Sequence, residues 1–439
     1  MARLDARLER NVGHPIALAL SGGGDSMALL LLASAWAKAA GRRLLCVTID
    51  HGLNRDSRDW SRVCAEAAPA VGADWIERRW EGEKPKTGLP AAARRARHAL
   101  IADAAREAGA KVVLFAHTAD DIAESDWMRE RGSTLGSLRE WSPSPAWPAG
   151  RGLMLLRPVL EERRAALRGV LREAGQAWVE DPGNTRFARG QARAALSPLP
   201  SGEGLSAQER QRSDLRERVR VPASIGAGEP LTLSAETPRC ARRASSPLPL
   251  GEGFKVERTV GPQQLSAAIL CASGHDAPPR RDRLDTLADR FASGEDFTAT
   301  LASARIEAIG DRVLIGREPG DLRRRPTPDI ALPPQTASVW DGRYEITTDN
   351  PGWTVTAAQG RLNALSKADR AIAATAPAWA RAALPILIRD GSDAPVLAWR
   401  EAQVRNLAPR RLSLAMGETT HESDLHRTIH GETPPPDLF

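Results

Sequence analysis

Residues 16–26 read IALALSGGGDS, and this stretch determines how the N-terminal half of the chain is interpreted. A short apolar run that ends at a glycine cluster predicts a buried parallel strand. The Ala- and Leu-rich residues 25–40 that follow predict a helix. Glycines let the backbone approach an anion closely, and a helix N-terminus attracts negative charge. The stretch therefore predicts a phosphate-binding loop at residues 21–26, although a glycine-rich turn that only connects a strand to a helix would have a similar composition.

The loop has further residue types that suit a phosphate ligand. Ser21 and Ser26 can donate hydroxyl hydrogen bonds, and the glycine N–H groups can point inward. Asp25 cannot bind a bare phosphate, so we expect it to hold Mg²⁺ or to order the loop. The loop fits neither the GxxxxGK[ST] nor the GxGxxG pattern.

Strands and helices alternate beyond the loop. Polar residues follow the predicted strand ends, where ligands bind in open α/β sheets. The alternation predicts an α/β fold with a doubly wound, mostly parallel, Rossmann-like sheet. Further strands are predicted at residues 44–49, 75–80 and 112–116, and further helices at residues 57–71 and 90–108.

The length of 439 residues predicts two or three domains. The octapeptides SPLPSGEG at residues 197–204 and SPLPLGEG at residues 246–253 nearly repeat each other, and the stretch between them has no sustained helix or strand period. We interpret it as a poorly ordered insert. The tail from Gly417 is also predicted to be disordered. The predicted parts are a catalytic domain at 1–196, the insert at 197–253, a small helical and mixed segment at 254–322, and a small α+β domain at 339–416.

Charge and cysteine content limit the possible partners. The formal net charge of +6 is compatible with a polyanionic partner. No two cysteines share a CxxC spacing, so we expect reduced structural thiols in a cytoplasmic protein rather than a zinc site or disulfides. No signal peptide and no apolar run long enough to cross a bilayer is visible, so no membrane partner is expected. The cysteines are Cys46, Cys64, Cys240 and Cys271.

Three carboxylates follow the strand predicted at residues 112–116. Asp120, Asp121 and Glu124 lie on one turn, and Asp121 and Glu124 share a helix face. Such a cluster would bind a cationic amine or Mg²⁺. The alternative is a solvated helix N-terminus, where the helix dipole favours acids.

Two arginines of the helix predicted at residues 90–108 are candidates for anion contacts. Arg94 and Arg97 lie one turn apart and could meet a phosphate or a carboxylate bidentately. Because Arg95 lies between them, the alternative is an arginine-rich, solvated face.

Further motifs narrow the choice of family. In chain order they are DHGL at 50–53, AAARRARH at 91–98, AHTADDIAES at 116–125, RGS at 131–133, RP at 157–158 and EDPGN at 180–184. Together with the loop, they resemble the tRNA(Ile)-lysidine synthetase family of PP-loop, or N-type ATP pyrophosphatase, enzymes. The resemblance covers most of residues 14–193 and is weaker in the C-terminal half. Three positions depart from the family pattern, namely Thr118, Gly183 and Gly190.

The resemblance implies a two-step reaction with ATP, Mg²⁺, free L-lysine and tRNA(Ile). The wobble cytidine C34 of a tRNA with a CAU anticodon is adenylated at its C2 oxygen, and lysine then displaces AMP to give lysidine. The implied ATP-binding residues are Ser21, Gly22, Gly23, Gly24, Asp25, Ser26 and Asp50, with Asp25 as the Mg²⁺ ligand. The implied catalytic residues are Asp25, Asp121, Glu124, His117, Arg97 and Arg189. Lysine would be held by Asp121 and Glu124, and tRNA by Arg94, Arg189 and Arg193, with residues 323–325 as further candidates.

Two alternatives remain open at this point. A tRNA thiolase would use the same ATP step, but that chemistry usually needs a reactive cysteine pair or an iron–sulfur site. A degenerate family member would bind ATP or tRNA without catalysis, as the insert and the departure at Gly190 would allow. The sequence leaves the oligomeric state undetermined.

Overall fold

The computed structural model describes residues 1–53, 57–133, 136–180, 191–192, 195–196, 245–247 and 253–432, with residues 245–247 described by their backbone alone. Most of the insert predicted at residues 197–253 lies outside these ranges, as do Arg189 and Arg193. Within the predicted insert, residues 245–247 form the edge strand of a five-stranded sheet in the C-terminal half.

The N-terminal half forms a six-stranded sheet with helices on both faces. The strands are β1 Ile16–Ala19, β2 Leu44–Asp50, β3 Asp74–Arg79, β4 Val112–Leu114, β5 Trp141–Pro143 and β6 Met154–Leu156. Their order is β3-β2-β1-β4-β6-β5, and every neighbouring pair is parallel except β5 with β6. The helices are α1 Ala2–Asp5, α2 Gly24–Ala39, α3 Ser57–Ala70, α4 Leu89–Glu107, α5 Ala119–Arg129 and α6 Arg164–Glu173. The predicted α/β fold with a mostly parallel sheet is confirmed.

Two cores cover the two faces of this sheet. Successive strand residues point to opposite faces. Ile16 and Leu18 therefore pack in one core with residues of α2, α3 and α6, whereas Ala17 packs in the other with residues of α4. Both faces are buried, as a parallel sheet requires, and the strands accordingly read as nearly continuous apolar runs. The sheet is doubly wound, and its carboxyl edge is left for polar residues.

The described C-terminal residues form three smaller antiparallel sheets. The first is β7-β8-β11-β10-β9, with β7 Ser245–Pro247, β8 Gly253–Glu257, β9 Phe297–Leu301, β10 Ala304–Ile309 and β11 Arg312–Arg317. The second is β12-β15-β16-β17 and the third β13-β14-β18, with β12 Ile330–Leu332, β13 Ser338–Trp340, β14 Tyr344–Thr347, β15 Trp353–Ala357, β16 Pro385–Arg389, β17 Val396–Leu397 and β18 Gln403–Asn406.

Helices pack between and beside these sheets. They are α7 Pro262–Ser273, α8 Arg281–Ala292, α9 Pro319–Arg324, α10 Lys367–Ala373 and α11 Ala408–Ala415, with 3-10 turns at Leu362–Ala364, Arg381–Ala383, Ala398–Arg400 and Glu422–His426. The predicted smaller α+β parts are thus present. Among the helices of the described ranges, none is long and apolar enough to cross a bilayer.

The chain end returns to the first domain. Glu422 is fully buried, and its two carboxylate oxygens accept from Nη1 and Nη2 of Arg42 at 2.9 and 3.0 Å. The same carboxylate accepts from the backbone N of Glu9 at 2.9 Å and lies 3.0 Å from Nε2 of His14. The prediction of a disordered tail from Gly417 is therefore wrong for residues 417–432. Sequence pattern could not show this, because the tail is polar and the partner of its buried acid lies far away along the chain.

The ion pair between Glu422 and Arg42 also gives the fold a pH dependence. Burial alone would raise the pKa of Glu422, but the hydrogen bonds from Arg42 and from the Glu9 backbone outweigh it and place the pKa below the ordinary value of 4.5. A carboxyl group with a lowered folded pKa stabilises the fold at pH values above its unfolded pKa. That contribution is lost as the pH falls through the lower, folded value.

We predict that the substitution Glu422→Gln destabilises the N-terminal domain by about 3–5 kcal/mol, because it leaves Arg42 buried without its counterion. Arg427→Ala, which removes the exposed partner of Asp424, is the matched control and should change stability little. Thermal and urea unfolding of the full chain would measure both. Equal stability of the two variants would contradict the assignment of Glu422 as a buried counterion.

Candidate active site

The phosphate loop joins β1 to α2 at the carboxyl edge of the sheet. Gly23 is the N-cap of α2, and the helix begins at Gly24. The hydroxyl of Ser26 donates to the carbonyl of Gly23 at 2.9 Å and lies 3.1 Å from the hydroxyl of Ser21. These bonds close the loop into a tight turn, and the unpaired N–H groups of the first helical turn lie at its end. The loop therefore has the geometry of an anion-binding site.

Two glycines of the loop lie in positions where a side chain would be strained or crowded. Gly22 has a φ of +79°, which lies in the left-handed region. A Cβ atom at Gly24 would lie 3.3 Å from Cδ1 of Trp178. The neighbouring Val179 donates its N–H to the carbonyl of Gly22 at 2.9 Å. Residues 178–179 therefore lie directly against the loop and fix its outer side.

Helix α5 carries two of the predicted lysine-binding carboxylates into the protein interior. Thr118 is its N-cap, and the backbone N and Oγ1 of Thr118 donate to Oδ2 of Asp121 at 2.9 and 3.0 Å. Asp121 is 5% exposed and Glu124 only 2%. The interpretation of these acids as a solvated helix end is thus wrong. Carboxylates buried to this extent need a cation or several hydrogen-bond donors to remain charged.

Arg164, the first residue of α6, supplies that cation. Its Nη2 lies 3.0 Å from Oδ1 of Asp121, its Nη1 2.7 Å from Oε1 of Glu124, and its Nε 3.0 Å from Oδ2 of Asp25. We call Arg164 and these three acids the carboxylate cluster. With all four groups ionised, three negative charges and one positive charge leave a net charge of −2. No motif or spacing in the sequence distinguishes Arg164 from the many other arginines.

Burial and charge shift the pKa values of this cluster. Burial raises the pKa of Asp25 above its ordinary value, and the charge of Arg164 only partly offsets this effect. Burial alone would lower the pKa of Arg164, but the charge of Asp121 and the contacts with Glu124 raise it above the ordinary value. Arg164 is therefore a permanent cation. A further positive charge nearby would stabilise the carboxylate form of Asp25.

Asp120 does not belong to the carboxylate cluster, contrary to the prediction. Its Oδ2 accepts from the backbone N of Arg164 at 2.8 Å, so it caps the first turn of α6. Successive residues of a helix are rotated by about 100°, so Asp120 meets the backbone of Arg164 whereas Asp121 meets its guanidinium. The third acid of the carboxylate cluster is Asp25 of the phosphate loop instead.

His117, which was predicted to be catalytic, lies buried beside Arg157. The Nε of Arg157 donates to Nδ1 of His117 at 3.1 Å. Because Nδ1 accepts, the neutral ring carries its proton on Nε2. The ring also stacks on Phe115, with the centroids 5.8 Å apart, and Phe115 stacks on His98 at 5.2 Å. The hydrogen bond from Arg157 and the face of Phe115 therefore help to orient His117.

Arg94 and Arg97 are half-buried on α4, whereas Arg95 between them is exposed. Burial, followed by the charges of Arg97 and Arg94, lowers the pKa of His98 to about 2. Burial and the charge of Arg97 likewise lower the pKa of His51. The two predicted arginines thus carry positive charge close to His98, and we call this group of residues the cationic region.

Asp50 lies buried at the carboxyl end of β2. Its Oδ1 accepts from the backbone N of Gly52 at 2.8 Å, and its Oδ2 lies 3.6 Å from Nε of Arg79. Burial alone would raise its pKa, but the hydrogen bonds from Gly52 and Ser57 outweigh burial and lower the pKa. Asp50 is therefore an ionised carboxylate that shapes the turn at the strand end next to the phosphate loop.

Comparison with known proteins places the chain in a family. Residues 2–199 match a family model described as a PP-loop domain. The tRNA(Ile)-lysidine synthase of Caulobacter vibrioides is 41% identical over 436 residues, which cover 96% of this chain and 98% of the relative. The chain belongs to the tRNA(Ile)-lysidine synthase family.

Other similar proteins share less of their sequence with this chain. The tRNA(Ile)-lysidine synthase of Hyphomonas neptunium is 33% identical over 364 residues, which cover 80% of this chain and 91% of the relative. Among solved structures, the U34-tRNA thiolase NcsA of Methanococcus maripaludis covers 52% of this chain and 83% of its own, with 15% identity and a TM-score of 0.38.

Some residues singled out by the resemblance to the lysidine synthase family cannot be placed. Arg189, Arg193 and residues 181–184 of the EDPGN motif lie outside the described residues. Glu180, the first residue of that motif, accepts from Nε1 of Trp178 at 2.9 Å and pairs with Nη2 of Arg168 at 2.8 Å. The motif therefore starts beside the phosphate loop.

We predict that Asp120→Ala lowers the stability of this lysidine synthase family member by about 1–2 kcal/mol, because a helix N–H loses its charged acceptor. Asp120→Asn keeps an oxygen acceptor in place and should lose less than half as much. Thermal unfolding of both variants would test the capping role. If the two variants were equally affected, the charge of Asp120 rather than its hydrogen bond would matter, and the capping role would be rejected.

Proposed function

We propose that this chain ligates lysine to C2 of the wobble cytidine C34 in an isoleucine tRNA with a CAU anticodon, converting ATP to AMP and pyrophosphate. The observation that carries the proposal is the carboxylate cluster: Asp25 of the phosphate loop and the predicted lysine ligands Asp121 and Glu124 share one guanidinium. The proposed ATP and lysine sites are thus neighbours. The similarity to lysidine synthases over nearly the whole chain supports the same reaction.

The ATP triphosphate is proposed to lie on the phosphate loop. The N–H groups of residues 22–24 and of the first turn of α2 would bind its oxygens, and the hydroxyls of Ser21 and Ser26 would donate further hydrogen bonds. Asp50 is proposed to contribute from the end of the adjacent strand. This arrangement would place the α-phosphorus in front of the incoming C2 oxygen, and positioning of this kind supplies a large part of such a rate enhancement.

The residues beside the loop fit a magnesium ion. Asp25 offers a carboxylate oxygen, the ligand type that Mg²⁺ prefers, and burial makes a further cation at this carboxylate favourable. Mg²⁺ usually takes one or two protein carboxylates and completes its shell with water and phosphate oxygens. When bound, it would neutralise negative charge on the phosphates. Asp25 is therefore proposed as its protein ligand.

The two chemical steps follow from the proposed sites. In the first step, the C2 oxygen of the cytidine forms a bond to the α-phosphorus of ATP, and the bond to the β-phosphate bridging oxygen breaks, releasing pyrophosphate. In the second step, the lysine amine attacks C2, and the C2–O bond breaks to release AMP. An ammonium group has no free electron pair, so the bound amine must first lose a proton, for which Asp121 and Glu124 are the proposed acceptors.

His117 and Arg97 are proposed to contact the reacting groups from the cationic region, where charge develops on the nucleotide and on C2. Arg94, Arg189 and Arg193 are proposed to bind tRNA phosphates. Residues 323–325 are exposed arginines at the end of α9 and are further candidates for phosphate contacts. Phosphate contacts of this kind would make binding of tRNA weaker at higher salt.

A thiolase activity is less well supported. Cys46, Cys64 and Cys271 are all buried. Burial raises the pKa of the three thiols to about 12, 11 and 12, respectively, so they remain protonated and unreactive at neutral pH. A protein that only binds ATP or tRNA would be free to lose the residues proposed for catalysis. In this chain the phosphate loop, Asp121 and Glu124 are all present.

Incubation of the chain with labelled lysine, ATP and an isoleucine tRNA with a CAU anticodon should incorporate lysine into the tRNA. The matched control is the same tRNA with its wobble cytidine replaced by uridine, which should stay unlabelled. Folded protein that incorporates no lysine would reject the proposal. Transfer of sulfur instead of lysine would favour the thiolase.

Variants of the cluster should separate the two steps. We expect Asp25→Ala to slow pyrophosphate release in the absence of lysine by about 100-fold or more, because charge stabilisation at the phosphates is lost. Glu124→Gln should change the rate of pyrophosphate release by less than about twofold relative to the wild type. It should raise the KM for lysine by about 30-fold or more, because a buried charge pair loses one partner. Stopped-flow phosphate-reporter kinetics would measure both.

Asp126→Asn, which changes a half-exposed acid of the same helix α5, is the control and should alter neither quantity. If Glu124→Gln instead abolished pyrophosphate release with an unchanged KM for lysine, Glu124 would belong to the ATP site. The assignment of Glu124 as a lysine ligand would then be wrong.

A further inference from the structure

Arg164 lies at the centre of the proposed lysine site, although the family resemblance gave it no role. We propose that Arg164 is a place-holder for lysine: its guanidinium binds Asp121 and Glu124 in the substrate-free protein, and the ammonium of lysine displaces it. Arg164 is thus a positioning residue, and its competition for Asp121 and Glu124 determines which amines can bind there. The inference rests on the proposed function, since it takes lysine as the occupant of the site.

The contacts leave little room for both cations. Oδ2 of Asp121 already accepts two hydrogen bonds from Thr118, so Oδ1 is the oxygen that faces the site, and Arg164 holds it at 3.0 Å. Oε1 of Glu124 is held at 2.7 Å, and the Glu124 side chain is only 2% exposed. An ammonium that took the positions of Nη1 and Nη2 at these two oxygens would replace the guanidinium.

Electrostatics explains why such a place-holder is useful. Two buried carboxylates that face one site repel each other and need donors to hold them there. In the substrate-free protein the guanidinium occupies Oδ1 of Asp121 and Oε1 of Glu124 and holds the two acids together until lysine arrives. Exchange of one cation for another leaves the buried charge unchanged. Cations that make weak contacts cannot displace the arginine, so the exchange selects for a ligand with several well-placed donors.

The backbone of Arg164 is anchored separately from its side chain. Asp120 accepts from the backbone N of Arg164 at 2.8 Å, so the start of α6 stays fixed when the side chain rotates. The Nε contact with Asp25 lies on the phosphate-loop side, away from the two lysine ligands of α5. The guanidinium can therefore leave Asp121 and Glu124 without unwinding the helix.

The test uses Arg164→Ala in the full-length protein with ATP and tRNA(Ile) at saturation. Removing the internal competitor should lower the KM for lysine by about tenfold or more. In the wild-type protein only the molecules whose site is free of the guanidinium can bind lysine, and this small fraction weakens the apparent affinity. Added methylguanidinium chloride should then compete with lysine in the variant, raising its KM without changing kcat. The wild-type protein, which carries its own guanidinium, should respond less than about twofold.

Arg172→Ala, an exposed arginine in the last turn of α6, is the matched control and should behave like the wild type. If methylguanidinium instead restored a weakened variant, Arg164 would be needed in place during the reaction, and the place-holder role would be rejected. The same rejection follows if methylguanidinium has no effect on folded Arg164→Ala.

A second measurement needs no variant. A crystal structure of the wild-type protein with bound lysine should show the guanidinium of Arg164 beyond hydrogen-bonding distance of Asp121 and Glu124. A lysine bound beside an unmoved Arg164 would overturn the inference while leaving the proposed function intact. Failure of the wild-type protein to incorporate labelled lysine would overturn the proposed function, and the inference with it, so the two failures are distinguishable.

Discussion

The arrangement of the active site depends on the meeting of three carboxylates with one guanidinium. Asp25 lies in the first turn of α2, Asp121 in the first turn of α5, and Arg164 at the start of α6. Three helix N-termini can converge in this way because each helix follows a strand end on the same edge of a parallel sheet. The positive ends of these helices add to the guanidinium in stabilising the buried acids. Reversal of one strand would remove its helix, and the group it carries, from the site.

At the same edge of the sheet, basic and acidic side chains follow one another within a short stretch of chain. Residues 115–117 carry the stacked Phe115 and His117 next to Arg157, and the buried acids of α5 begin only a few residues later. The proposed amine and phosphate ligands would therefore meet opposite charges within one region of the protein. Such a separation suits a reaction that must bring a cationic nucleophile to an anionic nucleotide without letting the two form a simple ion pair.

Much of this fold was predictable, because its strands are apolar runs and its loop has a rare composition. The predicted strand 44–49 and helix 90–108 agree with β2 Leu44–Asp50 and α4 Leu89–Glu107 to within one residue at each end. The family motifs pointed to Asp121 and Glu124, which the structure brings together with Asp25. The role of Asp120 and that of Arg164 were not predictable. They depend on which way a side chain points and on a contact between helices, and neither is visible in local periodicity.

The return of the chain end to the first domain has a consequence for biosynthesis. Arg42 and its counterion Glu422 are 380 residues apart. At roughly 5–20 residues per second, the ribosome makes the arginine about 20–80 s before the glutamate. During that time the nascent first domain can collapse around its apolar strands, but it holds an arginine without its partner. Completion of translation then supplies the missing charge, so a chain released early would remain a substrate for chaperones and proteases.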